Sequence, residues 1–236
     1  RLMGDSVIFS SGTLHEHAVC GRSDCTDAAH GNTAWIPLTS VDGKLLYGGA
    51  NASKNGDSYM LYAGNYYLAA DIELDGRLFP AGDVNLCLNG KQITTTNPSV
   101  SAVVDDHWGL TLCDCRGSGR ITAPGETVNG VSSSQSFTMY GGTISGNSAK
   151  VGDPVYGGGV YVEGSTKNSG TVGTFHMYAG AISDNTAYNS KGNSGGAGVY
   201  VGEGAAFYLH DGSISGNRVL KSAGSSSGGG VYVGSK

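Results

Sequence analysis

Short apolar alternations set among polar, glycine-rich stretches organise the second half of the chain, and none has a helical period. The triplet V-Y-V stands at 160–162, 199–201 and 231–233, each time behind GGG or GAG. Between the triplets lie FTMYGGTISGN (137–147), FHMYAGAISDN (175–185) and FYLHDGSISGN (207–217), all obeying F-x-[ML]-x-x-G-x-I-S-x-N. Phe137, Phe175 and Phe207 follow one another at 38 and 32 residues, while Val160, Val199 and Val231 do so at 39 and 32. Apolar residues at every second position predict short strands with one buried face. A unit of this length cannot bury that face alone, so the repeats must stack as a solenoid, one repeat per coil.

This predicts inward columns of Val160, Val199 and Val231 and of Val162, Val201 and Val233. The tyrosines between them form an outward column. The preceding glycines supply a corner that needs positive φ or close backbone approach. Asn147, Asn185 and Asn217 recur at the turn after the Ile, where stacked amides can bond along the column. The frame extends upstream through VNLCLNGKQI (84–93) and LTLCDCRGSGRI (110–121), where Leu86, Leu112 and Met139 are 26 and 27 residues apart. About five or six coils are expected, rising on the order of 25–30 Å.

Composition agrees with stacked, turn-rich β structure. Only 14% of residues are charged, and 41 of the 236 are glycine, against typical shares of about 25% charged and roughly 7% glycine. With 14 Lys plus Arg and a net charge of −5, the chain has no basic patch to displace counterions, and nucleic acid is not an expected partner. No apolar run is long enough to span a bilayer and the first residues lack signal-peptide regions, so membrane insertion by this segment is not expected.

The G-G-[GA]-V-Y-V and F-x-M-x-G-G-x-I-S-x-N patterns resemble the right-handed parallel β-helix repeats of bacterial surface proteins. They are similar to polymorphic outer-membrane-protein repeats and to large adhesin-like proteins of gut bacteria. The likeness covers 137–236 well and 66–136 loosely. It departs from the outer-membrane repeats in carrying GGGV for GGAI and F-x-M for F-x-x-N. The resemblance implies a right-handed parallel β-helix at 66–236, secretion, and an extracellular or cell-surface role. The fold hosts adhesins, lyases and glycosidases alike, so function has to come from sites.

Residues 1–65 form the expected N-terminal cap, marked by His15, His17, Cys20, Cys25 and His30 within sixteen residues. These types can close a tetrahedral structural zinc site. A Cys20–Cys25 disulfide and free thiols are the alternatives. Similar His/Cys-rich knuckles precede the β-helix in the gut-bacterial proteins. Cys87 and Cys113 occupy equivalent positions in neighbouring coils, close enough for a bridge; reduced thiols are the alternative.

Tyr161, Tyr200 and Tyr232 form one expected outward column, and Tyr140, Tyr178 and His210 another. Such rows can stack on sugar rings or on a protein partner, or simply on one another. The stretches 148–156, 186–194 and 218–227, with Asp153, Tyr156, Tyr188, Lys191, Arg218 and Lys221, read as loops on one edge. The repeats carry no paired carboxylates in a column, and no catalytic residue is assigned. Asp105, Asp106 and His107 would carry acid-base chemistry if the chain were a carbohydrate-active enzyme. The function expected is non-catalytic adhesion, with a glycan or surface protein as partner. A filament subunit, self-associating through exposed coil edges, is the structural alternative.

Overall fold

The computed structural model describes residues 15–22, 26, 31–125, 127–149, 155–165, 171–189, 192–220 and 224–234. Among these every regular element is a strand, and there is no helix. No helix is therefore long and apolar enough to cross a membrane.

Three long sheets, parallel over most of their length, carry the chain. The first aligns Ile36–Val41, Gly64–Leu68, Asp83–Cys87, Gly109–Cys113, Ser136–Met139, Thr174–Met177 and Ala206–Leu209. The second aligns Ile72–Leu74, Gln92–Thr95, Arg120–Ile121, Thr143–Ser145, Ala181–Ser183 and Ser213–Ser215. Ser58–Leu61, Arg77–Pro80, Ala102–Asp106, Asn129–Ser133, Val160–Val162, Val199–Val201 and Val231–Val233 make the third. From Gly64 the chain visits first, second and third sheet in turn and then returns, so each strand pairs with its counterpart one circuit away. The second sheet has 6 strands, one for each circuit.

Register follows the apolar columns. Phe137 pairs with Phe175 and Phe175 with Phe207, while Val160, Val199 and Val231 align in the third sheet. Upstream, Leu86 pairs with Leu112 and Leu112 with Met139, as the weaker spacing predicts. Apart from Val231, these side chains join one cluster, and Phe137, Phe175, Ile144, Ile182, Val160 and Val199 are wholly buried. Each such burial stabilises the fold by about 1.5–3 kcal/mol. The phenylalanine rings stack at 4.5 and 4.8 Å between centroids. In the last described circuit the columns emerge, with Leu209 and Val233 exposed.

The glycines before V-Y-V do two things. Gly157, Gly196 and Gly228 turn the corner at φ of 72, 60 and 58°, a region L side chains rarely enter. A Cβ on Gly159 would lie 2.6 Å from the Gly198 carbonyl oxygen, so backbone meets backbone there.

The stretches expected to be loops are partly stacked themselves. Ser148–Ala149, Thr186–Ala187 and Arg218–Val219 form one small parallel sheet, and Val155–Tyr156, Ser194–Gly195 and Ser226–Ser227 another. Asp153, Lys191 and Lys221 lie outside the described residues, Arg218 is exposed, and Tyr188 is half-buried.

The asparagine column forms the expected ladder. Asn147 Nδ2 donates to Asn185 Oδ1 at 3.0 Å, and Asn185 Nδ2 to Asn217 Oδ1 at 2.9 Å. Backbone N–H groups of Asn147 and Asn185 donate to the same oxygens. Asn147 Oδ1 is buried and accepts no hydrogen bond. Ser148 N–H donates to the Val128 carbonyl just as Thr186 and Arg218 N–H donate to those of Asn147 and Asn185, so Val128, which has no side-chain amide, stands beneath Asn147 where the ladder ends.

Before the first full circuit the sheets end in antiparallel pairs. Lys44–Tyr47 folds back on Ile36–Val41, and Lys54–Asn55 on Ser58–Leu61. Leu45 and Ala52 from this segment enter the main core.

Candidate metal centre

Residues Glu16–Ala18 pair antiparallel with Asn32–Ala34. Strand alternation puts His15 and His17 on the same face. Trp35 anchors this hairpin: its Nε1 donates to the His17 carbonyl at 3.1 Å, and its buried ring packs with Cys87 and Cys113. The His15 ring stacks on Tyr67 at 4.1 Å, and the His17 ring lies 4.4 Å from that of Trp35.

Facing the histidines is the outer column of the first sheet, where Tyr67 pairs with Cys87 and Cys87 with Cys113. His15, His17, Cys87 and Cys115 offer one ligand atom each, all within 4.8 Å of one another. His15 Nε2 is 3.0 Å from His17 Nε2, Cys115 Sγ is 3.8 Å from His15 Nε2, and Cys87 Sγ is 3.5 Å from Cys115 Sγ. Tetrahedral zinc bonds of about 2.0–2.1 Å to nitrogen and about 2.3 Å to sulfur give edges of about 3.3 Å (N···N), 3.6 Å (N···S) and 3.8 Å (S···S). The cluster is already near that size and could hold a metal ion. His17 Nδ1 lies 2.6 Å from the Ala18 carbonyl oxygen; donating its N–H there, it leaves Nε2 as the ligand atom.

Electrostatics keep the sulfurs protonated without an ion. Hydrogen bonding with Cys113, reinforced by burial, pushes the Cys87 thiol up to about 12. The neighbouring Cys87 and burial also raise Cys115, while His15 and His17 oppose the rise. Burial pulls His17 down, but its hydrogen bonds with Cys115 and the Ala18 carbonyl leave it above its ordinary value. Binding a divalent ion would therefore release thiol protons. Two nitrogens and two sulfurs suit a soft-to-borderline ion rather than magnesium or calcium. Four protein ligands close the coordination shell, which fits a structural role.

Two of the expected ligands, His15 and His17, are in this cluster. Cys20 is buried in the turn after the first strand and lies outside the four-atom set. Cys25 and His30 lie outside the described residues, and so does a Cys20–Cys25 bridge. Cys87 and Cys113 fall in register as expected but are thiols with no disulfide between them, and the Cys87 sulfur also lies 3.5 Å from that of Cys115. The spacing gives no sign of Cys115, which is 100 residues from His15.

The expected tyrosine column is mostly covered. Tyr161, Tyr200 and Tyr232 are in register, but Tyr156 stacks on Tyr200 at 4.0 Å, and Tyr200 is only 9% exposed. Burial and the neighbouring tyrosines push the Tyr200 hydroxyl up to about 12. The second column is open. Backbone bonds from Tyr140, Tyr178 and His210 to Leu112, Met139 and Met177 continue the line of Cys87 and Cys113. Tyr178 stacks on Tyr140 at 5.0 Å and on His210 at 4.1 Å, and His176 stacks on Tyr208 at 4.5 Å. Tyr178 and Tyr208 are 40% and 50% exposed. Their planes are parallel, so most ring faces meet each other, and His176 Nδ1 lies 3.1 Å from His210 Nε2.

Asp105, Asp106 and His107 form a network at the C-terminal end of an inner strand of the third sheet. His107 Nε2 is 3.3 Å from Asp105 Oδ1 and its Nδ1 is 3.3 Å from Ser134 Oγ, but Arg77 Nη1 holds Asp105 at 2.6 Å. A carboxylate neutralised by a guanidinium is a poor partner for an imidazolium in acid-base chemistry. Asp106 is wholly buried and accepts from Ser133 Oγ at 2.8 Å and from the Trp108 N–H at 3.1 Å.

Comparison with known proteins finds no matching family model, no significantly similar curated protein and no significantly similar solved structure.

Proposed function

We propose that this chain is a non-catalytic binding module built as a right-handed parallel β-helix and displayed outside the cell. The observation that carries the reading is the open aromatic column of the first sheet, Tyr140, Tyr178 and His210 flanked by His176 and Tyr208. Stacking fixes these rings, so a partner meets them at low entropic cost, and amphipathic aromatics are enriched at interfaces. Because the ring faces are taken up by one another, a surface protein fits better than a sugar ring, which needs a free aromatic face.

In the same reading the metal centre is structural zinc. It fastens the His15–His17 hairpin across the outer column, where Tyr140 is half-buried against the Trp35 cluster, and leaves Tyr178 exposed beyond it. Beads carrying the chain should be retained by immobilised extracellular-matrix proteins. A Tyr178→Ser/Tyr208→Ser variant should bind at least tenfold more weakly with an unchanged melting temperature. Equal retention of both forms, or cleavage of a polysaccharide by either, would contradict the proposal.

A further inference from the structure

We infer that the outer face of the first sheet carries a sugar-binding subsite: the groove over Gly109, with Trp108 beside it, takes one ring of a neutral oligosaccharide. Gly109 stands in register between Asp83 and Ser136. Because it has no side chain, a groove of about 130 Å³ opens there, lined by Asp83, Asn85, Thr111 and Ser136. Strand alternation turns Val84, Leu86, Leu110 and Leu112 into the core and leaves these polar side chains on the outer face.

The groove is chemically suited to hydroxyls. Among the described residues Asp83, Thr111 and Ser136 have no side-chain hydrogen bond, and Asn85 uses one amide N–H, donating to Asn65 Oδ1 at 2.7 Å. That leaves a carboxylate that accepts, two hydroxyls that donate or accept, and an amide that still does both. A sugar ring presents adjacent hydroxyls, each donor and acceptor, and matches this mixed set. An anion would meet the Asp83 carboxylate, and a metal ion would find only one charged ligand. Trp108 supplies the free aromatic face that the stacked column lacks. It immediately precedes Gly109, is 58% exposed, and among the described residues has no ring against it. Its backbone N–H is held by the buried Asp106 at 3.1 Å. An open indole stacks on the apolar face of a sugar, while a few convergent polar groups fix the orientation. In the row of Thr111, His176 stands two circuits on, roughly 10 Å along the sheet at about 4.8 Å per strand, so the subsite is separate from the exposed aromatic rings.

The test titrates the full chain with cellohexaose, xylohexaose and mannohexaose at pH 7, followed by tryptophan fluorescence and calorimetry. The expected result is saturable binding of at least one of the three, with an emission change carried by Trp108, since Trp35 is buried. Trp108→Ala should weaken binding roughly tenfold by calorimetry. Gly109→Val tests the groove: the new Cβ would lie 2.7 Å from Asp83 Oδ1, the movable end of a side chain, so valine fills the groove within an intact strand and should abolish binding. If that variant melts lower, Thr111→Val keeps the shape, removes one hydroxyl and should still weaken binding. Tyr178→Ser/Tyr208→Ser should bind the sugar as wild type does. No binding of any of the three sugars, equal binding by wild type and Trp108→Ala, or loss of binding in Tyr178→Ser/Tyr208→Ser would overturn the proposal.

Discussion

At the scale of single residues, Asp106 is a wholly buried carboxyl. Burial pushes its carboxyl up to about 6, although the bonds from Ser133 and Trp108 and the nearby His107 pull the other way. A folded-state pKa above the unfolded value of 3.8 means that the ionised form opposes folding. Stability should therefore fall as pH rises from about 4 to 6, and the loss persists above that. Asp106→Asn should raise stability in urea by roughly 2 kcal/mol at pH 7.5 and change little at pH 4. A variant that loses stability equally at both pH values would show that the carboxylate is needed in its charged form. Asp105, Asp106 and His107 read in sequence as candidate acid-base chemistry, but burial of Asp106 and capture of Asp105 by Arg77 depend on a register that no local motif reveals.

At the scale of elements, the asparagine ladder is the strongest repeated polar device. Asn185 accepts two bonds from Asn147 and donates to the Ile144 carbonyl and Asn217. Asn185→Ala leaves buried partners unpaired and should cost roughly 3 kcal/mol in chemical denaturation. A loss below about 1 kcal/mol would mean that the ladder is incidental. These columns were legible because the same residue recurs at the same offset in every repeat. The tyrosine column was legible in register but not in exposure. Val155–Tyr156 reads as part of a loop, and only its pairing with Ser194–Gly195 brings Tyr156 over Tyr200.

At the scale of the whole molecule, the metal cluster joins segments that are distant in sequence. His15 and His17 were legible as candidate ligands because they alternate in a His/Cys-rich stretch. The partners expected for them were local, yet the hairpin presents one face to the sheet, and the sulfurs that meet it come from Cys87 and Cys115. Equivalence of Cys87 and Cys113 could be read from NLCL and TLCD, while the turn that brings Cys115 beside Cys87 could not. Zinc should consequently protect the backbone amides of 15–22 from hydrogen exchange, and Cys115→Ser should abolish that protection while leaving 136–217 unchanged. Protection indifferent to zinc would show that Trp35 packing alone holds the hairpin. The most direct measurement is zinc K-edge X-ray absorption on the purified, zinc-loaded chain. The account predicts one ion per chain with two sulfurs at about 2.3 Å and two nitrogens at about 2.0 Å. A sub-stoichiometric metal content, or a shell without sulfur, would contradict it.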